Sequence, residues 1–240
     1  MIYHHQRWLI DYITWPLRIL SEDVVAKPDE PGEWSGIGGN VELIVLSGFL
    51  GSGKTTLLLR LSREFRAQGA RVAIVVNEIG EIGIDNALLK RLDQNGWELG
   101  SGCICCTLAG DLVQTLREIR EKFSPDKVIL EPSGASQPDL ILSALKCGGD
   151  ELVGRLRWLA LVDPLRLTEL VSVLGPLMES YLHRADAVVI TKADLASRTE
   201  LAAARAWVKR LRPDIRCITA DAANGSADAK ASVRELLAWS

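Results

Sequence analysis

Two hydrophobic patterns alternate along this chain. Short runs of consecutive apolar residues occur at Val41-Glu42-Leu43-Ile44-Val45-Leu46, Arg71-Val72-Ala73-Ile74-Val75-Val76 and Lys127-Val128-Ile129-Leu130, and again over 157–162, 186–191 and 215–219. Runs this short, apolar at successive positions, read as strands buried on both faces of a parallel sheet. A shorter strand is predicted at Trp97-Glu98-Leu99. Between the runs, apolar positions recur at helical spacing. Helices are predicted from the first glycine-rich turn to about Gln68-Gly69, over 111–122, between the later strands and over 232–239. Repeated strand–helix units without an internal repeat predict an α/β fold of three layers, α/β/α, around a doubly wound, mostly parallel sheet. Such a sheet takes its ligands at the C-terminal ends of its strands.

Residues 1–40 follow neither pattern and are expected to form an N-terminal extension to a domain spanning 41–240. Trp8, Leu9, Tyr12, Ile13 and Trp15 stand at helical spacing up to Pro16, and an acidic linker with Glu22, Asp23, Asp29, Glu30 and Glu33 follows. Three of the seven tryptophans fall in this stretch, which argues against a solvated tail; a flap packed on its own domain is favoured over a partner-docking segment. His4 and His5 have no neighbours to complete a metal site and read as surface residues.

Composition narrows the picture in three ways. A 48% hydrophobic chain of 240 residues can bury a full core. A net charge of −3 supplies no broad basic field, which argues against nucleic acid as a partner. No apolar run approaches the roughly 20 residues that cross a bilayer, and Asp11, Pro16 and Arg18 interrupt any signal-peptide pattern. Five cysteines, three of them within four positions, make a poor disulfide framework and suit a reducing cytoplasm.

The first predicted strand opens into Gly48-Phe49-Leu50-Gly51-Ser52-Gly53-Lys54-Thr55-Thr56 and then into a helix. Strand, glycine-rich turn and helix around GxxxxGK[ST] is the context of a P-loop, so the fold expected is that of a P-loop NTPase. Backbone N–H groups of Gly51, Ser52, Gly53, Lys54, Thr55 and Thr56 would converge on the phosphates. Lys54 would reach the β- and γ-phosphates and the Thr55 hydroxyl would sit on Mg²⁺. Glu131 ends an apolar strand, where an acid holds the Mg²⁺ shell or orients water, and the Gly134 N–H could sense the γ-phosphate. Lys54 and Glu131 are thus the candidate catalytic residues.

Thr191-Lys192-Ala193-Asp194 follows another strand and resembles the guanine-recognition box NKxD. A carboxylate there accepts two hydrogen bonds from guanine that adenine cannot offer. Lys192 would lay its stem along the base, and an N–H at Thr219-Ala220 could touch the guanine carbonyl. Thr191 stands in place of asparagine and lacks the amide that ties this loop to the P-loop. Cys103-Ile104-Cys105-Cys106 offers three soft thiolates, a set that suits Zn²⁺ with a fourth position for a carboxylate or water; Glu81 and Glu78 are candidates. Inert buried cysteines and vicinal redox chemistry are the other readings of that cluster. Cys147 and Cys217 are single and read as structural.

In order and spacing, Gly48–Thr56, Asn77–Asp85, Gly102–Thr107, Glu131–Gly134 with Pro138, and Ile190–Leu195 resemble the CobW family of P-loop metallochaperone GTPases. The resemblance runs from about Val41 to Ala220, and CxCC is its most specific part. It implies GTP hydrolysis coupled to delivery of a transition metal, zinc in many members and cobalt, with links to cobalamin, in others. By motif position it implies Lys54, Thr55 and Glu131 at the Mg-nucleotide, Asp194 at guanine, and Cys103, Cys105 and Cys106 with Glu81 at the metal. Partners would be GTP, GDP and a client metalloprotein, and a homodimer is allowed. The pattern departs at both ends: residues 1–40 are an addition, and the C-terminal domain of long members, often histidine-rich, has no counterpart here. Two rivals share the P-loop. A small-molecule kinase would use Glu131 or Glu78 as proton acceptor, and a nucleotide-dependent assembly factor would bind a client without appreciable hydrolysis.

Overall fold

The computed structural model describes residues 39–76, 109–134, 136–148 and 151–221. The predicted 1–40 segment (apart from 39 and 40), the strand at 97–99 and the helix over 232–239 lie outside the described residues. Within them, six strands and five helices alternate: β1 (Val41–Ser47), α1 (Lys54–Ala67), β2 (Val72–Val76), α2 (Ala109–Phe123), β3 (Lys127–Glu131), α3 (Pro138–Lys146), β4 (Val153–Val162), α4 (Leu167–Arg184), β5 (Ala187–Ile190), α5 (Arg198–Leu211) and β6 (Arg216–Thr219). The strands form one sheet in the order β2-β3-β1-β4-β5-β6, every pair parallel.

Strand β1 shows why its sequence is a continuous apolar run. Leu43 and Val45 join one buried cluster with α2, α3 and Trp158, while Ile44 and Leu46 join another with Leu57, Leu58, Leu61 and Phe65 of α1. Alternate side chains point to opposite faces, so both faces must be apolar where helices cover both. The strand order also reverses direction at β1, with β3 on one side and β4 on the other. That switch point is where a doubly wound sheet opens a crevice for a ligand.

Strand β4 is longer than its sequence predicts, starting at Val153 rather than 157. Gly154 and Arg155 interrupt the apolar run over this added stretch, and charged residues farther along the sheet are paired across it. Arg157 makes an ion pair with Glu42 at 2.6 Å, both side chains 12% exposed, and Lys127 reaches the same carboxylate from β3. Lys127 also lies over the Phe65 ring. Three neighbouring strands thus carry a compensated charge cluster within the sheet.

Helix α4 is two helical segments joined at Leu174, whose φ/ψ of −125°/25° is non-helical, just before Gly175 and Pro176. A proline inside a helix removes one backbone bond and kinks it. No helix among the described residues is long and apolar enough to cross a membrane.

Candidate nucleotide site

The P-loop joins β1 to α1 at the switch point. Gly53 caps α1 with φ +89°, a left-handed conformation that glycine adopts without steric cost. No side chain caps this terminus and the first turn of α1 carries no acidic residue. Helix α5 is the contrast, since Ser197 and Glu200 close a capping box there. Among the described residues no side chain caps the N-terminal amides of α1, whose partial positive charge suits an anion.

Lys54 is buried and folds back over the loop, donating to Gly48 O at 2.9 Å and Phe49 O at 3.3 Å. Ser52 is buried, with its N–H on Phe49 O at 3.1 Å, whereas Gly51 and Thr56 are exposed. The Thr55 hydroxyl donates to Glu131 Oε1 at 3.0 Å. This contact joins the two residues expected to share a cation. An octahedral Mg²⁺ holds oxygen ligands at about 2.0–2.1 Å, so neighbouring ligands stand about 2.9 Å apart. The Thr55–Glu131 separation fits one edge of that shell.

Gly134 packs directly on the P-loop. A Cβ there would lie 2.7 Å from Leu50 N, too close for any other residue without displacing the loop. Its carbonyl accepts from the Tyr181 hydroxyl at 2.6 Å, and burial pushes the Tyr181 pKa well up, keeping it a neutral donor. The second half of α4, beyond its kink, thereby braces the segment that follows Glu131.

The loop that carries the NKxD-like stretch is joined to the P-loop by a route that its sequence does not announce. Thr191 is fully buried, and its hydroxyl lies 2.8 Å from Ser52 O and 3.3 Å from Val162 O. Asparagine's amide is missing, but threonine's hydroxyl makes the tie itself. Lys192 takes a left-handed φ of +52°, and its ammonium pairs with buried Asp163 at 2.6 Å. Asp194 lies exposed two residues on, accessible to a ligand.

Two expectations change. The Ala220 N–H, assigned to the guanine carbonyl, donates to Ile190 O at 2.8 Å and extends the β5–β6 ladder. Cys147, read as structural, is exposed beyond α3, whereas Cys217 is half-buried and burial raises its thiol pKa. Cys103, Cys105, Cys106, Glu78, Glu81 and the loop 77–85 lie outside the described residues. Among those described, no three His, Cys, Asp or Glu side chains gather as a metal site.

Asp163 and Arg166 are the residues the sequence reading missed. Asp163 directly follows β4, and its Oδ1 accepts from Leu165 N at 3.0 Å. Its carbonyl receives Arg166 N at 3.4 Å, closing a turn with Asp first and Pro164 second. The signal was an Asp-Pro turn at the end of a buried strand. Taken alone it reads as a connection, and only the strand order puts it beside the P-loop.

A family model described as CobW/HypB/UreG, nucleotide-binding domain, matches residues 42–219. The chain is 31% identical over 196 residues to a zinc chaperone CobW of Sinorhizobium sp., covering 70% of this chain and 55% of that protein. It is 33% identical over 164 residues to the zinc chaperone YeiR of Escherichia coli K12, covering 68% of this chain and 50% of that protein. The chain thus spans about half the length of the curated relatives it matches. The hydrogenase maturation factor HypB of Archaeoglobus fulgidus superposes with a TM-score of 0.56 at 19% identity, over 83% of this chain and 90% of that one, a likeness of fold.

Proposed function

The chain belongs to the CobW/HypB/UreG family of nucleotide-binding domains, and we propose that it binds and hydrolyses GTP and couples the nucleotide state to binding and transfer of a transition metal. Zinc is the first candidate cargo, because the curated relatives are named zinc chaperones; cobalt is the second. A client metalloprotein receives the metal in a reducing cytoplasm, and self-association as a homodimer is compatible with this role.

The observation that carries the GTPase reading is the joining of three motifs around one loop. Thr55 touches Glu131 at 3.0 Å, Gly134 lies against Leu50, and Thr191 reaches Ser52 O at 2.8 Å. Phosphate cradle, acidic strand end and base loop are thus mechanically one unit. Lys54 exchanges its loop carbonyls for the β- and γ-phosphates, an exchange favoured by the greater charge of the new partner. Thr55 and Glu131 would hold Mg²⁺, which supplies charge neutralisation at the phosphates. Glu131, only 7% exposed, is also placed to orient the attacking water. Asp194 accepts from guanine, while Asp163 keeps the Lys192 ammonium at the loop's edge.

Cys103, Cys105 and Cys106 with Glu81 form the cargo site in this reading. Glu81 belongs to the loop expected to sense the γ-phosphate, so one movement changes both sites. Phosphate release with GTP and with ATP is the direct test of the nucleotide assignment. GTP should turn over with a kcat/KM at least roughly a hundredfold above that for ATP, the discrimination a hydrogen-bonded polar site affords. Equal turnover of both would return the chain to the kinase-like class, and turnover of neither to the assembly factors.

A further inference from the structure

The P-loop is flanked on its two sides by different chemistry. On the β3 side stands Glu131; on the β4 side the Asp163–Pro164 turn delivers Arg166. The Arg166 Nη1 donates to Leu50 O at 3.3 Å, and a Cβ on Gly51 would lie 3.7 Å from the same nitrogen. Lys54 meanwhile donates to Gly48 O and Phe49 O. Three successive loop carbonyls, at 48, 49 and 50, are therefore served by two cations. Leu50 is also the residue on which Gly134 packs. Lys54, Arg166 and Gly134 all meet the loop within residues 48–50.

We propose that Arg166 is a catalytic residue supplied within the chain, which moves from Leu50 O onto the terminal phosphates and stabilises the charge that develops there. The proposal rests on the GTPase reading above. Arg166 is free to make this move. Its side chain is 42% exposed, its hydrogen bond is long, and its ion pair with Glu169 is 3.9 Å. Exposed pairs of that kind are weak. A phosphate offers the guanidinium a charged acceptor that can be met through two parallel N–H bonds, which a single carbonyl cannot match.

In the step served, a water oxygen bonds to the γ-phosphorus and the bond from that phosphorus to the β,γ-bridging oxygen breaks. The bridging oxygen leaves with the electron pair as GDP, and the water's proton departs with the phosphate or to solvent. Arg166 transfers no proton; it neutralises the oxygens on which negative charge accumulates.

The test compares Arg166→Ala and Arg166→Lys with the parent chain, measuring single-turnover GTP hydrolysis and GDP affinity. Arg166→Ala should slow hydrolysis by at least roughly a hundredfold, the lower end for loss of one preorganised charge-stabilising group. GDP affinity should change by less than about threefold, since the contact is made at the terminal phosphate. Arg166→Lys should recover part of the rate, and added guanidinium ion should raise that of the alanine variant. A brace for the P-loop alone would not respond to guanidinium. An alanine variant hydrolysing within about threefold of an active parent would overturn the proposal and leave the GTPase reading intact. A parent with no turnover would remove both.

Discussion

Lys54→Ala is expected to abolish GTP turnover, lowering it by at least about a thousandfold, because the lysine supplies the charge at the β,γ-bridge. The structure sharpens this expectation. Lys54 is only 6% exposed, and its ammonium already lies along the loop, on Gly48 O and Phe49 O. Arg166 cannot replace it, since that guanidinium approaches the loop from the β4 side and meets a different carbonyl. Phosphate release is the readout, with thermal denaturation as a control for folding. Turnover within twofold of the parent would mean that the P-loop is not where hydrolysis occurs.

The second large effect concerns the base. Asp194→Asn should weaken GTP binding by about a hundredfold or more, since two hydrogen bonds to a charged acceptor contribute about 1.5–3 kcal/mol each. Asparagine keeps the size of the side chain but presents one donor where guanine also donates. The fold should hardly notice, because Asp194 is exposed and the buried tie of its loop runs through Thr191. ATP affinity should change little, so the variant loses preference rather than binding in general. Titration with GTP, GDP and ATP measures all three. A parent chain that binds ATP and GTP equally would contradict the guanine assignment.

The legible parts of this site were those in which one residue type has one use. A glycine-rich turn between an apolar run and a helix reads as a phosphate loop, and Glu131, an acid at a strand end downstream of it, lies against Thr55 in the structure. Strand β1 was legible because burial on both faces leaves no polar alternation to misread. Strand β4 was partly hidden, since Gly154 and Arg155 break the apolar run at its start. Thr191 shows a different limit. The motif reading registered a lost amide, whereas the fold requires only a donor near Ser52 O, and a hydroxyl from a buried strand end reaches it. Ala220 shows the reverse, a donor that looked available along the chain and is used in the ladder. Asp163 and Arg166 were invisible because their importance depends on β4 lying next to β1, a fact of strand order that no local pattern carries.

Coupling between nucleotide and metal is the central claim, and a four-corner titration tests it most directly. Zn²⁺ and Co²⁺ affinities would be measured with a non-hydrolysable GTP analogue and with GDP, for the parent and for Cys105→Ala. GTP can shift metal affinity only by binding two arrangements of the switch loop differently, and reciprocity then requires metal to shift GTP affinity by the same factor. The expected result is tighter metal binding in the triphosphate state by a factor between five and roughly 150, the usual range for such couplings. Cys105→Ala should remove most of that difference while leaving GTP binding to the metal-free chain nearly unchanged. Identical metal affinities in both nucleotide states would contradict the account, leaving a GTPase whose metal site is incidental.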